Sequence, residues 1–307
     1  MKKLGTVLKL FKKTFTAFLD DNALKLSASL SYYTVFSIGP LLIIIISLAG
    51  VFFGREAVQG RIYGQIRGLV GNDAAAQIQE IIKNIQKTNH GTVGAIIGVI
   101  ILIIGATGVF MEIQDSINYI WSVKAKPKKG WLKIIVNRLL SFSLVVSMGF
   151  ILLVSLTINA IMEALNERFL RYFKDYTVYL FYVLNILVIF LVITLLFAII
   201  FKVLPDAHIN WKDALIGAAF TSVLFLLGKL GIGYYLGNSN IGVTYGTAAS
   251  IIILLLWVYY SSIILYFGAE FTKTYAMDVG GGITPSETAV FVIKKETKEI
   301  PSSNVDS

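Results

Sequence analysis

The chain has 307 residues, 56% of them hydrophobic and only 15% charged, with a mean hydropathy of +0.75. A soluble domain runs nearer about 45–50% apolar and about 25% charged, so this composition fits a multi-pass membrane protein with little soluble mass. The lack of cysteine excludes disulfides and thiolate metal sites, and the formal charge of +9 suggests nucleic acid only until the charges are placed along the chain.

Residues 1–28 read as a basic amphipathic helix. Leu4, Val7, Leu8, Phe11, Phe15, Phe18 and Leu19 follow helical spacing, and Lys2, Lys3, Lys9, Lys12 and Lys13 supply the polar side. Such a helix belongs in the membrane interface; a soluble helix packed on the protein is the alternative. It does not read as a cleavable signal peptide, because its basic part is too long and the apolar run after it is span-length.

The first span is expected over residues 29–53. Pro40 lies near its middle, and Ser27, Ser31, Thr34 and Ser37 share one face below it. Proline removes a backbone hydrogen bond. At depth such a break is tolerated where neighbouring helices or a cavity satisfy the freed groups; an ordinary kink is the other reading. Residues 54–90 carry two apolar stripes separated by Gly71-Asn72-Asp73. They read as two short helices forming an external cap between spans one and two.

The second span is expected over 91–111. Gly91, Gly94, Gly98, Gly105 and Gly108 fall within about a third of the helix circumference and form a candidate helix-packing face. The same line continues to Glu112 and Asp115. Four further spans are expected over 139–162, 178–201, 214–236 and 247–271, and a polar, mobile tail over 272–307. The fold class is therefore an all-α bundle of six transmembrane helices. Three plus three spans would give inverted halves, but no sequence match between halves is evident.

Six spans put both termini on one side. Eighteen lysines and arginines fall on that side and eight on the other, with Lys229 inside the fifth span. The positive-inside rule assigns both termini to the cytoplasm. The basic residues thus follow topology and lipid contact, and no nucleic-acid partner is expected.

Catalytic groups are sparse. His90 and His208 are expected on opposite faces, separated by about 30 Å of hydrocarbon. No Ser-His-Asp set, His-x3-His pair or glycine-rich phosphate loop occurs. No enzyme activity, metal site or cofactor is expected. Glu112 and Asp115, one turn apart, can hold a cation or pair with Arg138 at the start of the third span; the ion pair is favoured. Lys229 is the one clearly intramembrane charge, a functional candidate by default. At about 24 Å along the helix from Asp213 it can snorkel to the outer boundary, or face a cavity and attract an anionic headgroup. In the sixth span Trp257, Tyr259, Tyr260, Ser261 and Ser262 lie near mid-depth, and Glu270 near the inner end. With Tyr33 and Pro40 they outline a candidate substrate path or gate between the first and sixth spans; hydrogen bonding between helices explains them as well.

Four ordered blocks carry a resemblance: SASLSYYTVFSIGPLL, GVFMEIQDSINYIW, KVLPDAHINWKDALIGA and YGTAASIIILLLWVYYSSIILYFGAEF. Over nearly the whole chain to about Lys273 it resembles the YihY/BrkB family of multi-pass membrane proteins, historically mislabelled ribonuclease BN. The resemblance implies a six-span protein of the bacterial plasma membrane, linked to the envelope and in some members to export of lipids or lipid conjugates. It implies no catalytic residues. The function expected is a transporter or translocation component for an amphiphilic, lipid-like substrate. The alternative is a non-transporting scaffold for envelope assembly, with membrane lipids, a second copy or envelope proteins as partners. The ribonuclease reading is disfavoured.

Overall fold

A computed structural model describes residues 2–35, 76, 79, 108–126, 176–239, 241–245 and 248–293. Helix α1 (Lys2–Asp20) turns at Asp21 and Asn22 into α2, described over residues 23–35. Asn22 takes the left-handed conformation (φ 50°) that asparagine accepts more readily than most residues. Helix α3 is described over residues 108–120 and leads into strand β1 (Val123–Ala125). Helix α4 (Tyr176–Val203) is followed by β2 (Ala207–Ile209) and α5 (Trp211–Gly237). The short α6 (Ile241–Tyr245) leads to α7 (Ala249–Asp278), then β3 (Ile283–Pro285) and β4 (Ala289–Phe291).

Three helices are long and apolar enough to cross a membrane, with windows at Ile186–Val203, Trp211–Leu236 and Ile251–Asp278. They overlap the fourth, fifth and sixth expected spans. Most of the first span, the cap and the second span, and all of the third span, lie outside the described residues. So do Pro40, Arg138, Gly91, Gly94, Gly98 and Gly105.

Two expectations need correction. The described fold is mostly helical rather than all-α: β1 pairs antiparallel with β4, and β2 with β3. The expected tail does not begin at 272. Helix α7 has 30 residues and so extends about 45 Å, well beyond a hydrocarbon core of about 30 Å. Its overhang and the strands after it form an arm that clips the segment after α3 to the α4–α5 turn. Gly282 (φ 80°) makes the bend into the arm, a backbone conformation that suits glycine.

The α5–α7 contact is built from a short repeated sequence. Gly217-Ala218-Ala219-Phe220-Thr221 on α5 lies antiparallel to Gly268-Ala269-Glu270-Phe271-Thr272 on α7. A Cβ added to Gly217 would meet Thr272 Oγ1 at 1.9 Å, and one added to Gly268 would meet Thr221 Oγ1 at 2.0 Å. Each threonine hydroxyl donates back to the carbonyl of the glycine on its own helix, at 2.7 Å for Thr221 and 2.6 Å for Thr272. The threonines therefore enter the seam with their polar atoms satisfied. Phe220 stacks on Phe271 with ring centroids 3.9 Å apart. Ala218 and Ala269 are fully buried. Further along, Phe225 of α5 meets Phe197 of α4 and Trp257 of α7 edge-on, at 5.9 and 6.2 Å.

Gly268→Ala should therefore lower stability by about 1–3 kcal/mol through overpacking. Gly233→Ala, where an added Cβ meets nothing within 4 Å, should be close to neutral. Unfolding of the purified variants in mixed detergent micelles checks the contrast.

Candidate functional site

Parts of the second, third and fourth sequence blocks meet at one end of the described helices, where α4 ends, α5 begins and α7 ends. Helix α3 contributes its polar turns. Asn118 is 5% exposed and forms a two-way lock with Asp206 in the α4–α5 turn. Its Nδ2 donates to Asp206 Oδ2 at 2.9 Å, and the Asp206 backbone N–H donates to Asn118 Oδ1 at 2.8 Å. Gln114 Nε2 adds a donor to the same carboxylate oxygen at 3.2 Å. A carboxylate is thus held by neutral donors, fixing the turn against α3. One turn on, the buried indole of Trp121 donates from Nε1 to the Ala269 carbonyl of α7 at 3.1 Å.

A cation holds the adjacent corner. Lys273 Nζ donates to the Ile120 carbonyl at 2.5 Å. It also lies 3.5 Å from Glu270 Oε2 and 3.7 Å from Asp21 Oδ2. Glu270 is fully buried and Asp21 nearly so. The Ile120 carbonyl belongs to the last turn of α3, where the helix dipole favours a cation. Lys273 therefore ties α3, α7 and the α1–α2 turn together in one place.

The arm closes the remaining side. Asp213, buried in the first turn of α5, accepts the Gly281 backbone N–H at 2.8 Å. Added Cβ atoms at Gly280 and Gly281 would strike Asp213 and Asn210, so the arm passes here only as bare backbone. Lys202 donates to the Ile209 carbonyl and lies 5.9 Å from the Trp211 ring centre.

Asp115 is exposed and Glu112 half-buried on this end of α3. Asp115 reaches the surface, but partial burial of its carboxylate, then the like charges of Glu112 and Asp206, raise its pKa above the ordinary 3.8. Tyr266, fully buried on α7, has no hydrogen bond of normal geometry at its hydroxyl, which faces Ser116 and the Glu112 charge. The two carboxylates thus stand in a negative neighbourhood shared with Asp206. Their favoured partner Arg138 lies outside the described residues.

The other sequence candidates fall into separate neighbourhoods. Tyr33 of α2 lies against Gly108 of α3, where an added Cβ would be 3.5 Å from its ring. Gly108 therefore sits at a helix contact. Tyr260 crosses α5 at Gly228 and Gly231, its hydroxyl 3.0 and 3.9 Å from added Cβ atoms there. Lys229, half-buried, is beside that crossing. Glu270 is about 15 Å further along α7 from Tyr260, at the charged end. His208 is exposed on β2. Among the described residues no group of three or more His, Cys, Asp or Glu side chains is placed to hold a metal ion.

Sequence reasoning missed Asn118, Asp206, Asp213, Trp121 and the bridging role of Lys273. The one available signal was that each lies inside or beside a block that carried the resemblance. Their partners are distant in sequence, 88 residues for Asn118 and Asp206, so local spacing is silent about them.

Asn118→Ala should cost about 1–3 kcal/mol, because it strips partners from the Asp206 carboxylate and amide; thermal unfolding in detergent measures it. Asp115 gives a pH signature. Its native pKa lies above the unfolded value, so its contribution to stability is full below 3.8 and is lost as pH rises through the native value. Asp115→Asn should raise the unfolding midpoint at pH 7, and the gain should vanish as pH falls toward 3.8. Midpoints measured from pH 3.5 to about 8 test this.

A family profile described as "Virulence factor BrkB" matches residues 14–289. Among curated proteins, a UPF0761 membrane protein of Stenotrophomonas maltophilia (strain R551-3) is 28% identical over 265 residues, covering 84% of this chain and 59% of that protein. A UPF0761 membrane protein of Saccharophagus degradans is 26% identical, covering 87% and 60% respectively. One from Tolumonas auensis is 28% identical and covers 85% of each chain. The chain thus spans about three fifths of the length of the first two relatives. No solved structure matches it.

Proposed function

The chain belongs to the virulence factor BrkB family, and from that premise we propose that this integral membrane protein is a translocation component for an amphiphilic, lipid-like substrate with an anionic headgroup. It acts without covalent chemistry, from the bacterial plasma membrane, as a six-span bundle with both termini in the cytoplasm.

Lys229 carries the reading. It is an amine within the apolar span Trp211–Leu236, half-buried, beside the place where Tyr260 crosses α5. An ionisable group within a span is a functional candidate by default. A lipid headgroup phosphate moving between the leaflets would be drawn toward this amine, while its acyl chains stay in hydrocarbon. The charged end is suited to a different task. Its ion pairs and the Asn118–Asp206 lock hold helices in register at the cytoplasmic boundary, with Glu112 and Asp115 at its rim as gate residues.

Lys229→Met tests the proposal in vesicles containing the purified protein and a headgroup-labelled phosphatidylglycerol. Wild type should speed exchange of the label between leaflets. The variant should lose about tenfold of that rate with its unfolding midpoint unchanged. Full exchange by Lys229→Met removes Lys229 from the mechanism. No exchange by wild type, with stoichiometric protein partners recovered from membranes, overturns translocation in favour of the scaffold.

A further inference from the structure

Helix α1 divides into three sectors, one of which is buried against the protein. Leu10, Thr14 and Phe18 are buried. At about 100° per residue they occupy one side of the helix. Phe18 meets Phe267 of α7 edge-on at 5.5 Å. On the adjoining side Leu8, Phe11, Phe15 and Leu19 are exposed, by 40–64%. These four fall within about 80° of one another. On the third side Lys9, Lys12 and Lys13 are exposed, and no acidic residue occurs before Asp20.

The docking contacts place α1 beside the charged ends of α5 and α7. Phe11 lies at the boundary between the buried and exposed apolar sides, 5.4 Å from Phe220 and 6.1 Å from Phe271. Both rings belong to windows long and apolar enough to cross a membrane. Phe271 is about 10 Å, and Phe220 about 14 Å, from the charged-end terminus of its helix. The basic side reaches that terminus itself: Lys13 Nζ is 2.5 Å from Asp278 Oδ1, in the last residue of α7. Phe11 of the exposed apolar side thus lies against the end turns of two candidate spans, and Lys13 of the basic side lies at the terminus beyond them.

We infer that α1 is a lipid-binding surface for the anionic face of a bilayer, with acyl chains against Leu8, Phe11, Phe15 and Leu19 and headgroup phosphates on Lys9 and Lys12. An apolar stripe beside an uninterrupted basic stripe is the arrangement that binds anionic lipid in the interface plane. Lys13, held by Asp278, orients the stripe. This surface is independent of the path at Lys229 and does not require transport.

The chain has no cysteine, so single-cysteine variants of the full-length protein can be labelled cleanly with bimane. Phe15→Cys and Thr16→Cys place probes on the apolar and basic sides respectively. In reconstituted vesicles brominated lipid should quench the probe at 15 and a neutral nickel chelate should quench the probe at 16. Brominated phosphatidylglycerol should quench the probe at 15 at least about twofold more than brominated phosphatidylcholine at equal mole fraction. Lys9→Gln with Lys12→Gln should bring that ratio to about one. Equal chelate quenching at both positions overturns the inference, because the apolar side then faces water. Protection of position 15 from both quenchers overturns it in favour of a protein partner or second copy. Equal quenching by the two lipids in the otherwise unaltered chain overturns the anionic preference.

Discussion

The close approach of α5 and α7 is the constraint from which the rest follows. In lipid, helix association gains little from removing apolar surface from solvent and depends on packing and polar satisfaction. The two Gly-Ala-x-Phe-Thr segments meet both needs. Each glycine removes a side chain where the opposite threonine must enter, and each threonine satisfies its hydroxyl on its own helix. The contact also stacks Phe220 and Phe271 into a joint platform on which Phe11 of α1 rests. It buries Glu270 between its glycine and threonine, and so creates the demand that Lys273 meets. A helix pair held further apart would leave α1 without its aromatic seat and Glu270 in a looser, wetter place.

The charged end is stabilised by sharing rather than by simple pairing. Burial of an isolated ion pair often returns less in attraction than it costs in desolvation. Here Lys273 has a helix-end carbonyl as well as two carboxylates. Asp206 is held by two side-chain amides, and Asp213 by a backbone amide at a helix N-terminus. Each arrangement joins elements that are remote in sequence. These polar contacts set register between helices whose apolar faces would tolerate sliding. Asp115 and Glu112 differ because their neighbour Asp206 has the same sign.

The helices of the last three expected spans were legible because length and hydropathy alone mark a long apolar helix. The overrun of α7 was not. Lys273 and Asp278 read as the start of a polar tail, whereas both are used as anchors against other elements. The strands are three residues each, too short for alternation to register, and pair only across long sequence separations. The glycines of the second expected span are the most conspicuous run in the sequence, and of the five Gly108 alone lies within the described residues. The α5–α7 seam was hidden because two glycines set 51 positions apart make no periodic pattern. It is visible only when Gly-Ala-x-Phe-Thr is noticed twice. Similarly, Glu112 and Asp115 stood out as a pair, but the third charge beside them comes from a turn read as a connector.

Mid-depth polarity must be sorted before it can support a path through the bundle. Ser261 and Ser262 both return their hydroxyls to their own helix, at the Trp257 and Val258 carbonyls, so they explain themselves as helix-compatible residues. Trp257 Nε1 and Thr194 Oγ1 are different: both are buried without a hydrogen-bond partner. They flank the line of aromatic contacts from Phe197 through Phe225 to Trp257 that joins α4, α5 and α7. An unsatisfied buried donor costs free energy that an apolar side chain of similar shape would avoid. On the reading proposed above, Trp257 and Thr194 join Lys229 as polar groups of the last three spans that a passing headgroup would meet.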